Sequence, residues 1–129
     1  MILSGAHAVA FCRMSGMALI ITVRLDGNTV VLDLEGRLWI LDLPLRDHIH
    51  RLLAEGCRFF VLNIEKVEYI DSSGLGQLVS LWTSVRTKDG NLVLMRPSER
   101  IRRLFNVTRL NVVFDVFQDE SLAKVAVRR

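Results

Sequence analysis

The chain has few of the residues that define disulfide-rich, metal-binding or base-stacking proteins. Two cysteines, Cys12 and Cys57, cannot build a disulfide scaffold or a four-cysteine zinc site, and reduced thiols are typical of the cytosol. The three histidines include His48 and His50, which a helix would point apart, so a metal site is disfavoured. Six Phe, two Trp and one Tyr are too few for a surface that stacks nucleic-acid bases. We therefore expect a cytoplasmic protein that holds no metal and binds no nucleic acid directly.

Long apolar runs are also lacking, so the sequence predicts no transmembrane segment. Residues 1–12 are small and mostly apolar, but this stretch is too short to span a bilayer. Its positive charge follows the apolar residues, whereas a secretory signal carries the charge in front of them. Met14 and Met17 are alternative translation starts beside Met1. We expect residues 1–17 to form a loosely ordered extension, or to be held by a few apolar contacts.

The composition is otherwise that of one folded domain. Half of the residues (50%) are hydrophobic and 24% are charged, and a chain of 129 residues can build a core. Residues 66–129 hold 11 basic and 7 acidic side chains, and five arginines between Arg96 and Arg109 accompany a single glutamate. This basic patch is either a solvated helix face, or a surface for an acidic protein partner or a phospholipid.

Apolar periodicity predicts strands that alternate with helices. Asp26-Gly27-Asn28 joins two strands as a hairpin, because these residues tolerate the positive φ of a tight turn. The apolar run Phe59–Ile64 indicates a strand buried on both faces. The five predicted strands are Leu19–Leu25, Thr29–Glu35, Phe59–Ile64, Leu92–Met95 and Val112–Phe117. The four predicted helices cover Leu41–Leu53, Leu75–Val85, a segment that Ser98 opens and a segment led by Asp119.

This order predicts an α/β fold over residues 18–127. Strands that alternate with helices form a mostly parallel sheet, and the N-terminal hairpin adds antiparallel pairing. We therefore expect a mixed five-stranded sheet packed against helices. Dinucleotide binding is disfavoured, because the sequence has Gly74 and Gly76 but lacks the third glycine of the dinucleotide-binding motif. The Gly-Lys-Ser/Thr of a P-loop does not occur either. The residues of the third helix expected to face the sheet are Ile101, Leu104 and Phe105, with the arginines in solvent.

The most informative segment follows the buried strand and reads Asp71-Ser72-Ser73-Gly74-Leu75-Gly76. A helix N-terminus presents free N–H groups and a partial positive charge, so Asp or Ser there has an ordinary role as a cap. The two glycines cost stability relative to alanine, and they leave the backbone bare for close approach of another protein. A serine in this turn is exposed beside a dipole that tolerates phosphate. Plain capping and a phosphorylatable, protein-binding turn are the two interpretations.

Residues 60–76 resemble the signature of STAS domains, in particular that of bacterial anti-sigma factor antagonists. The stretch runs from Phe60 through Asp71-Ser72-Ser73-Gly74 to Gly76, and a hairpin ending in Gly36 and a helix precede it, as in the family. Residues 91–110 resemble the fourth strand and third helix of the family. The resemblance covers about residues 18–127 and implies a single STAS domain.

The resemblance implies a switch rather than an enzyme, with no cofactor of its own. In the family, the first serine after the aspartate is phosphorylated, and here that serine is Ser72. The kinase is the anti-sigma factor, a serine kinase of the histidine-kinase-like ATPase type, which the unphosphorylated antagonist binds to free the sigma factor. A phosphoserine phosphatase is a further implied partner. Asp71 would orient the acceptor, and Ser73 is the expected helix cap.

One departure from the family concerns the residues after Gly36. Family members often carry acidic residues there as part of the partner surface, whereas this chain carries Arg37 and Trp39. Both are candidate partner-binding residues together with the segment from Asp71 to Gly76; an exposed Trp39 would anchor an interface, and a buried one would belong to the core. An alternative function, favoured by Arg37 and the basic helix, is a STAS accessory or scaffold protein of a stressosome-like complex or of a lipid transporter.

Overall fold

The computed structural model describes residues 7–14, 17–38 and 43–128. Within these ranges the chain forms six strands and four α-helices. The strands are β1 (His7–Met14), β2 (Met17–Asp26), β3 (Thr29–Leu38), β4 (Phe59–Ile70), β5 (Asn91–Met95) and β6 (Val116–Phe117). The helices are α1 (Leu43–Ala54), α2 (Ser72–Thr87), α3 (Glu99–Thr108) and α4 (Glu120–Val127), and a 3₁₀ helix spans Leu110–Val112. None of the described helices combines the length and the apolar character needed to cross a membrane.

The strands form one sheet in which each strand pairs with its neighbours in the sequence. The pairs β1–β2 and β2–β3 are antiparallel, and β3 to β6 are parallel. Helices α1, α2 and α3 cover one face of the sheet and enclose the larger core, while α4 covers the other face. The predicted α/β fold, a mixed sheet with an N-terminal hairpin packed against helices, is confirmed.

Strand β4 lies inside the sheet, as its apolar run predicts. Phe60 and Leu62 point into the larger core and Val61 into the smaller one, so both faces of the strand are buried. Strand β5 pairs with β4 from Phe59 to Asn63, whereas β3 accompanies β4 to its end at Ile70. The second half of β4 therefore extends past β5 and carries the chain to the edge of the sheet where α2 begins.

Strand β1 is a difference between the expected and the observed structure. The sequence predicts an extension over residues 1–17 that is loosely ordered or held by a few apolar contacts, whereas His7–Met14 pairs with β2 along its whole length. Met14 and Met17 are partners in this pairing, and the two residues between them in the sequence are Ser15-Gly16, a dipeptide typical of turns. This pairing adds a sixth strand to the predicted five.

The predicted strand over Val112–Phe117 is also shorter in the structure. Arg109 ends α3 in the left-handed conformation with φ of 63°, and the chain continues as the 3₁₀ helix. Phe114 then turns into the core, where its ring stacks on that of Phe105 with centroids 6.1 Å apart. Val116 and Phe117 remain to pair with β5. Within this apolar run, Phe114 belongs to the core, and Val113 and Val116 pack against it.

A polar network fastens α4 to its face of the sheet. Arg24 donates to the two carboxylate oxygens of Asp33 at 2.6 and 3.0 Å, and to those of Glu120 at 2.9 and 3.1 Å. Lys124 lies 2.9 Å from Glu120 and 2.9 Å from Asp26. The hydrogen bond from Arg24 is the main cause that lowers the pKa of Glu120 from 4.5 to about 2. These charge-assisted, bidentate pairs hold α4 in addition to its apolar contacts.

Acid is expected to weaken this attachment. Because the pKa of Glu120 is lower in the folded than in the unfolded chain, its contribution is complete above pH 4.5 and is lost as the pH falls towards about 2. Across this range, the free energy of unfolding of Glu120→Gln should fall less than that of the wild type in urea titrations. Glu99→Gln is the control, because the carboxylate of Glu99 is exposed on α3. This variant should show the same dependence of the unfolding free energy on pH as the wild type. If the unfolding free energies of the wild type and of Glu120→Gln depend equally on pH, the role of the network is contradicted.

Candidate functional site

The turn from β4 into α2 is fixed by the side chain of Asp71. Its backbone is extended (φ −91°, ψ 178°), and its Oδ1 accepts a hydrogen bond from the N–H of Gly74 at 2.6 Å. The spacing of three residues is that of an N-cap and the third helical position. The prediction that Ser73 caps the helix is therefore wrong, because α2 begins at Ser72 and Ser73 already lies inside its first turn. Asp71 takes the role of the cap.

Ser72 is the first residue of α2 and its side chain is exposed. The helix starts three residues before the predicted Leu75, and the predicted position of Ser72 at the N-terminus of this helix is confirmed. Ser73 beside it is half-buried. Of the two serines, Ser72 is therefore the one whose hydroxyl is more open to a partner.

The remaining residues of the turn divide into buried and open positions. Gly74 is buried, and Leu75 is only 7% exposed and packs in the larger core, so its side chain positions the turn instead of reaching a partner. Gly76 is exposed, and a Cβ built there would meet no atom of the residues that the structure describes within 4 Å. Packing within the chain therefore does not require glycine at position 76, which leaves close approach from outside as a reason for it.

An apolar cleft of about 450 Å³ opens directly beside Ser72. One wall is the end of β4 and the start of α2, and the other wall is α3. Two large apolar side chains that line the cleft are open to solvent, since Tyr69 is 40% exposed and Val107 is 81% exposed. Arginine side chains of α3 stand on its rim. The residues that line the cleft are Tyr69, Ile70, Asp71, Ser72, Arg100, Ile101, Arg103, Leu104 and Val107.

The orientation of α3 confirms the sequence prediction in its main features. Ile101 and Phe105 are buried against the sheet, while Arg100, Arg102 and Arg103 are exposed. Leu104 is half-buried; it packs against the larger core, as predicted, and also lines the cleft. The sequence does not reveal the cleft as such. A sequence feature that could indicate the cleft is Val107, an apolar residue that lies outside the buried face of this strongly amphipathic helix.

Arg37 lies at the same end of the sheet as the turn. Gly36 has a φ of 122°, the pairing of β3 with β4 shifts there by one residue, and Arg37 then stands opposite Tyr69. The guanidinium of Arg37 is 3.8 Å from the carboxylate of Glu68, and both side chains are largely exposed. Arg37 is thus brought next to the cleft by the strand pairing. Trp39 lies outside the described residues.

The nucleophiles and metal ligands elsewhere in the described residues give no second site. Cys57 precedes β4, at the opposite end of that strand from Ser72, and burial raises the pKa of its thiol, as in an unreactive cysteine. In the part of the chain that the structure describes, no three His, Cys, Asp or Glu side chains lie close enough to hold a metal ion. The cleft and the turn beside it are therefore the candidate site.

Known proteins share both the sequence and the fold of this chain. The anti-sigma-B factor antagonist of Bacillus subtilis is 30% identical over 97 residues, which cover 74% of this chain and 88% of that protein. The NMR structure of the Thermotoga maritima protein TM1081 has a TM-score of 0.75 at 27% identity, covering 83% of this chain and 87% of that one. The unphosphorylated form of the anti-sigma factor antagonist SpoIIAA has a TM-score of 0.71 at 24% identity, covering 84% and 96%.

The family assignment follows from the length of the matched segment. The model of the STAS domain matches residues 20–123, which include β3 to β6, most of β2 and the whole candidate site. The chain belongs to the STAS domain family, and its Bacillus subtilis relative is an anti-sigma-B factor antagonist.

Proposed function

We propose that the chain is an anti-sigma factor antagonist that works as a phosphorylation-controlled protein-binding switch. Its unphosphorylated form binds an anti-sigma factor that is also a serine kinase of the histidine-kinase-like ATPase type, and the sigma factor is released. The observation that carries the proposal is the exposed Ser72, placed as the first residue of α2 on the rim of an apolar cleft. The name of the Bacillus subtilis relative supports the same role.

The site suits an acceptor of phosphate better than a catalyst. The carboxylate of Asp71 is engaged as the helix cap, so it stabilises the turn that presents the hydroxyl of Ser72. ATP, Mg²⁺ and the general base would come from the kinase. A phosphoserine phosphatase would return the chain to its binding form, and both partners would meet it in the cytoplasm.

Phosphorylation would act on binding through charge. A phosphoserine carries about −1.5 to −2 charges at neutral pH. On Ser72 this charge would stand beside Asp71, at a surface that a partner must strip of water. Desolvation of that charge and repulsion from acidic groups would both oppose docking. The proposed docking surface comprises the segment from Asp71 to Gly76, the cleft beside it, Arg37 and Trp39.

The open space at Gly76 provides a prediction with opposite effects on folding and binding. Gly76→Ala should stabilise the chain by about 0.5–1 kcal/mol, because alanine is the better helix former and its methyl group meets no atom of the described residues. The same methyl group should weaken partner binding by about tenfold, since over-packing a fitted surface costs 1–3 kcal/mol. Thermal unfolding and calorimetric titration with the partner measure the two effects.

A control for Gly76→Ala lies further along α2. Thr83→Ala changes an exposed residue about two turns away and should leave the affinity for the partner unchanged. If Gly76→Ala binds the partner as tightly as the wild type, this turn is not part of the docking surface.

A second candidate function is favoured by the exposed arginines of α3. A basic helix suits an acidic protein or a phospholipid surface, as expected for a STAS scaffold of a stressosome-like complex or an accessory subunit of a lipid transporter. The two functions differ in the identity of the partner.

Partner capture distinguishes the two. The full chain, immobilised, is exposed to an extract of the bacterium that encodes it, without ATP, and bound proteins are identified by mass spectrometry. The proposed function predicts a histidine-kinase-like ATPase that added ATP releases from the wild type but not from Ser72→Ala. Capture of a transporter subunit or of other STAS proteins, with no response to ATP, would favour the second candidate.

A further inference from the structure

Two arginines of α3 line the same cleft as the proposed phosphate acceptor. Arg100 and Arg103 stand on its rim across from Ser72. Arg103 lies 3.7 Å from Glu99, but these side chains are 74% and 84% exposed, so this pair is weak. With the residues described, Arg100 makes no ion pair. Both guanidinium groups are therefore able to turn towards a new anion in the cleft.

The geometry of the cap gives a phosphate on Ser72 a preferred direction. Asp71 is held by its hydrogen bond to the N–H of Gly74, so its negative charge is fixed on the wall of the cleft that the end of β4 and the start of α2 form. A phosphate on the next residue is repelled from that carboxylate and attracted to the positive rim of the cleft. Arginine matches phosphate with two parallel hydrogen bonds, which are about twice as strong as neutral ones.

We propose that phosphoserine at position 72 is bound within the chain by Arg100 and Arg103, so that phosphorylation closes the cleft between the start of α2 and α3. The inference rests on the proposed function and specifies how its switch works. The apolar stems of the two arginines cover Leu104 and Val107, and their charges are neutralised. A partner that binds the open cleft or its positively charged rim can then bind neither. The same partner also meets the negative charge of the phosphate.

The phosphate itself reports this contact. Phosphoserine is installed at position 72 of the full chain by genetic encoding, and its second pKa is measured by ³¹P NMR titration. This pKa is ordinarily about 6, and neighbouring positive charges lower it. We expect it to be about one unit lower in the wild type than in Arg100→Gln/Arg103→Gln, a tenfold difference in proton affinity. The difference should vanish when both proteins are unfolded in urea.

A charge-matched control separates contact from net charge. Arg102 faces a different cleft of α3, and Lys88 follows the far end of α2, about 24 Å from Ser72. Arg102→Gln/Lys88→Gln removes two positive charges and should leave the phosphate pKa at its wild-type value. An unchanged pKa in Arg100→Gln/Arg103→Gln, or an equal rise in the control, would overturn the inference. Because no kinase or partner takes part, either result is independent of whether cells phosphorylate Ser72.

Discussion

Replacing Phe105 by alanine is expected to lower the free energy of unfolding by about 3–5 kcal/mol, because it leaves a large cavity in the core. Phe105 is 1% exposed, and its ring stacks on that of Phe114, which in turn meets Trp82 of α2 edge-on. The side chain thus joins α3, α2 and the segment after α3. Urea-induced unfolding followed by circular dichroism measures the loss.

Arg102→Ala provides the matched control for Phe105→Ala on the same helix. Arg102 is exposed, so its replacement should change the free energy of unfolding by less than about 0.5 kcal/mol. A large loss for Arg102→Ala together with a small one for Phe105→Ala would mean that α3 faces the sheet with its other side. The cleft beside Ser72 would then have a different wall.

Phosphorylation of Ser72 is expected to weaken binding of the anti-sigma partner by 100-fold or more, which corresponds to about 3 kcal/mol. The phosphate occupies the rim of the cleft and carries up to two charges. Ser72→Asp should weaken binding in the same direction but less, because one carboxylate has less charge and fewer acceptor atoms. Calorimetric titration of each form with the purified partner measures the change.

Two alanine variants test which serine is responsible. Ser72→Ala should bind the partner whether or not ATP is present, because it lacks the acceptor and adds no charge. It should also unfold like the wild type, since Asp71 and not Ser72 caps α2. Ser73→Ala retains Ser72, so it should still lose its affinity for the partner when it is incubated with the partner and ATP. Equal affinity of the wild type and Ser72→Asp would contradict a switch based on charge at this position.

Local sequence patterns predicted the elements around the site, because those elements depend on neighbours in the chain. The apolar run of β4 indicated its burial, and the alternation of Ile101 and Phe105 with arginines indicated which side of α3 faces the core. The capping residue was predicted incorrectly, since Asp71 and Ser73 are both good caps and only the start of the helix decides between them.

The cleft could not be predicted from local patterns. Its walls come from the end of β4 and from α3, and they meet because β4 extends past β5. The position of Arg100 and Arg103 opposite Ser72 is therefore a result of sheet pairing and helix packing. Likewise, the shortness of β6 follows from Phe114, which packs between Phe105 and Trp82 instead of continuing a strand.

Phosphosite mapping tests the central claim most directly. The wild-type chain is incubated with its cognate kinase and ATP, and the modified residue is located by mass spectrometry. The account predicts phosphate on Ser72, the exposed first residue of α2, and none on the half-buried Ser73. Phosphate on Ser73 alone, or on neither serine when the kinase is demonstrably active, would contradict the switch and favour the accessory role.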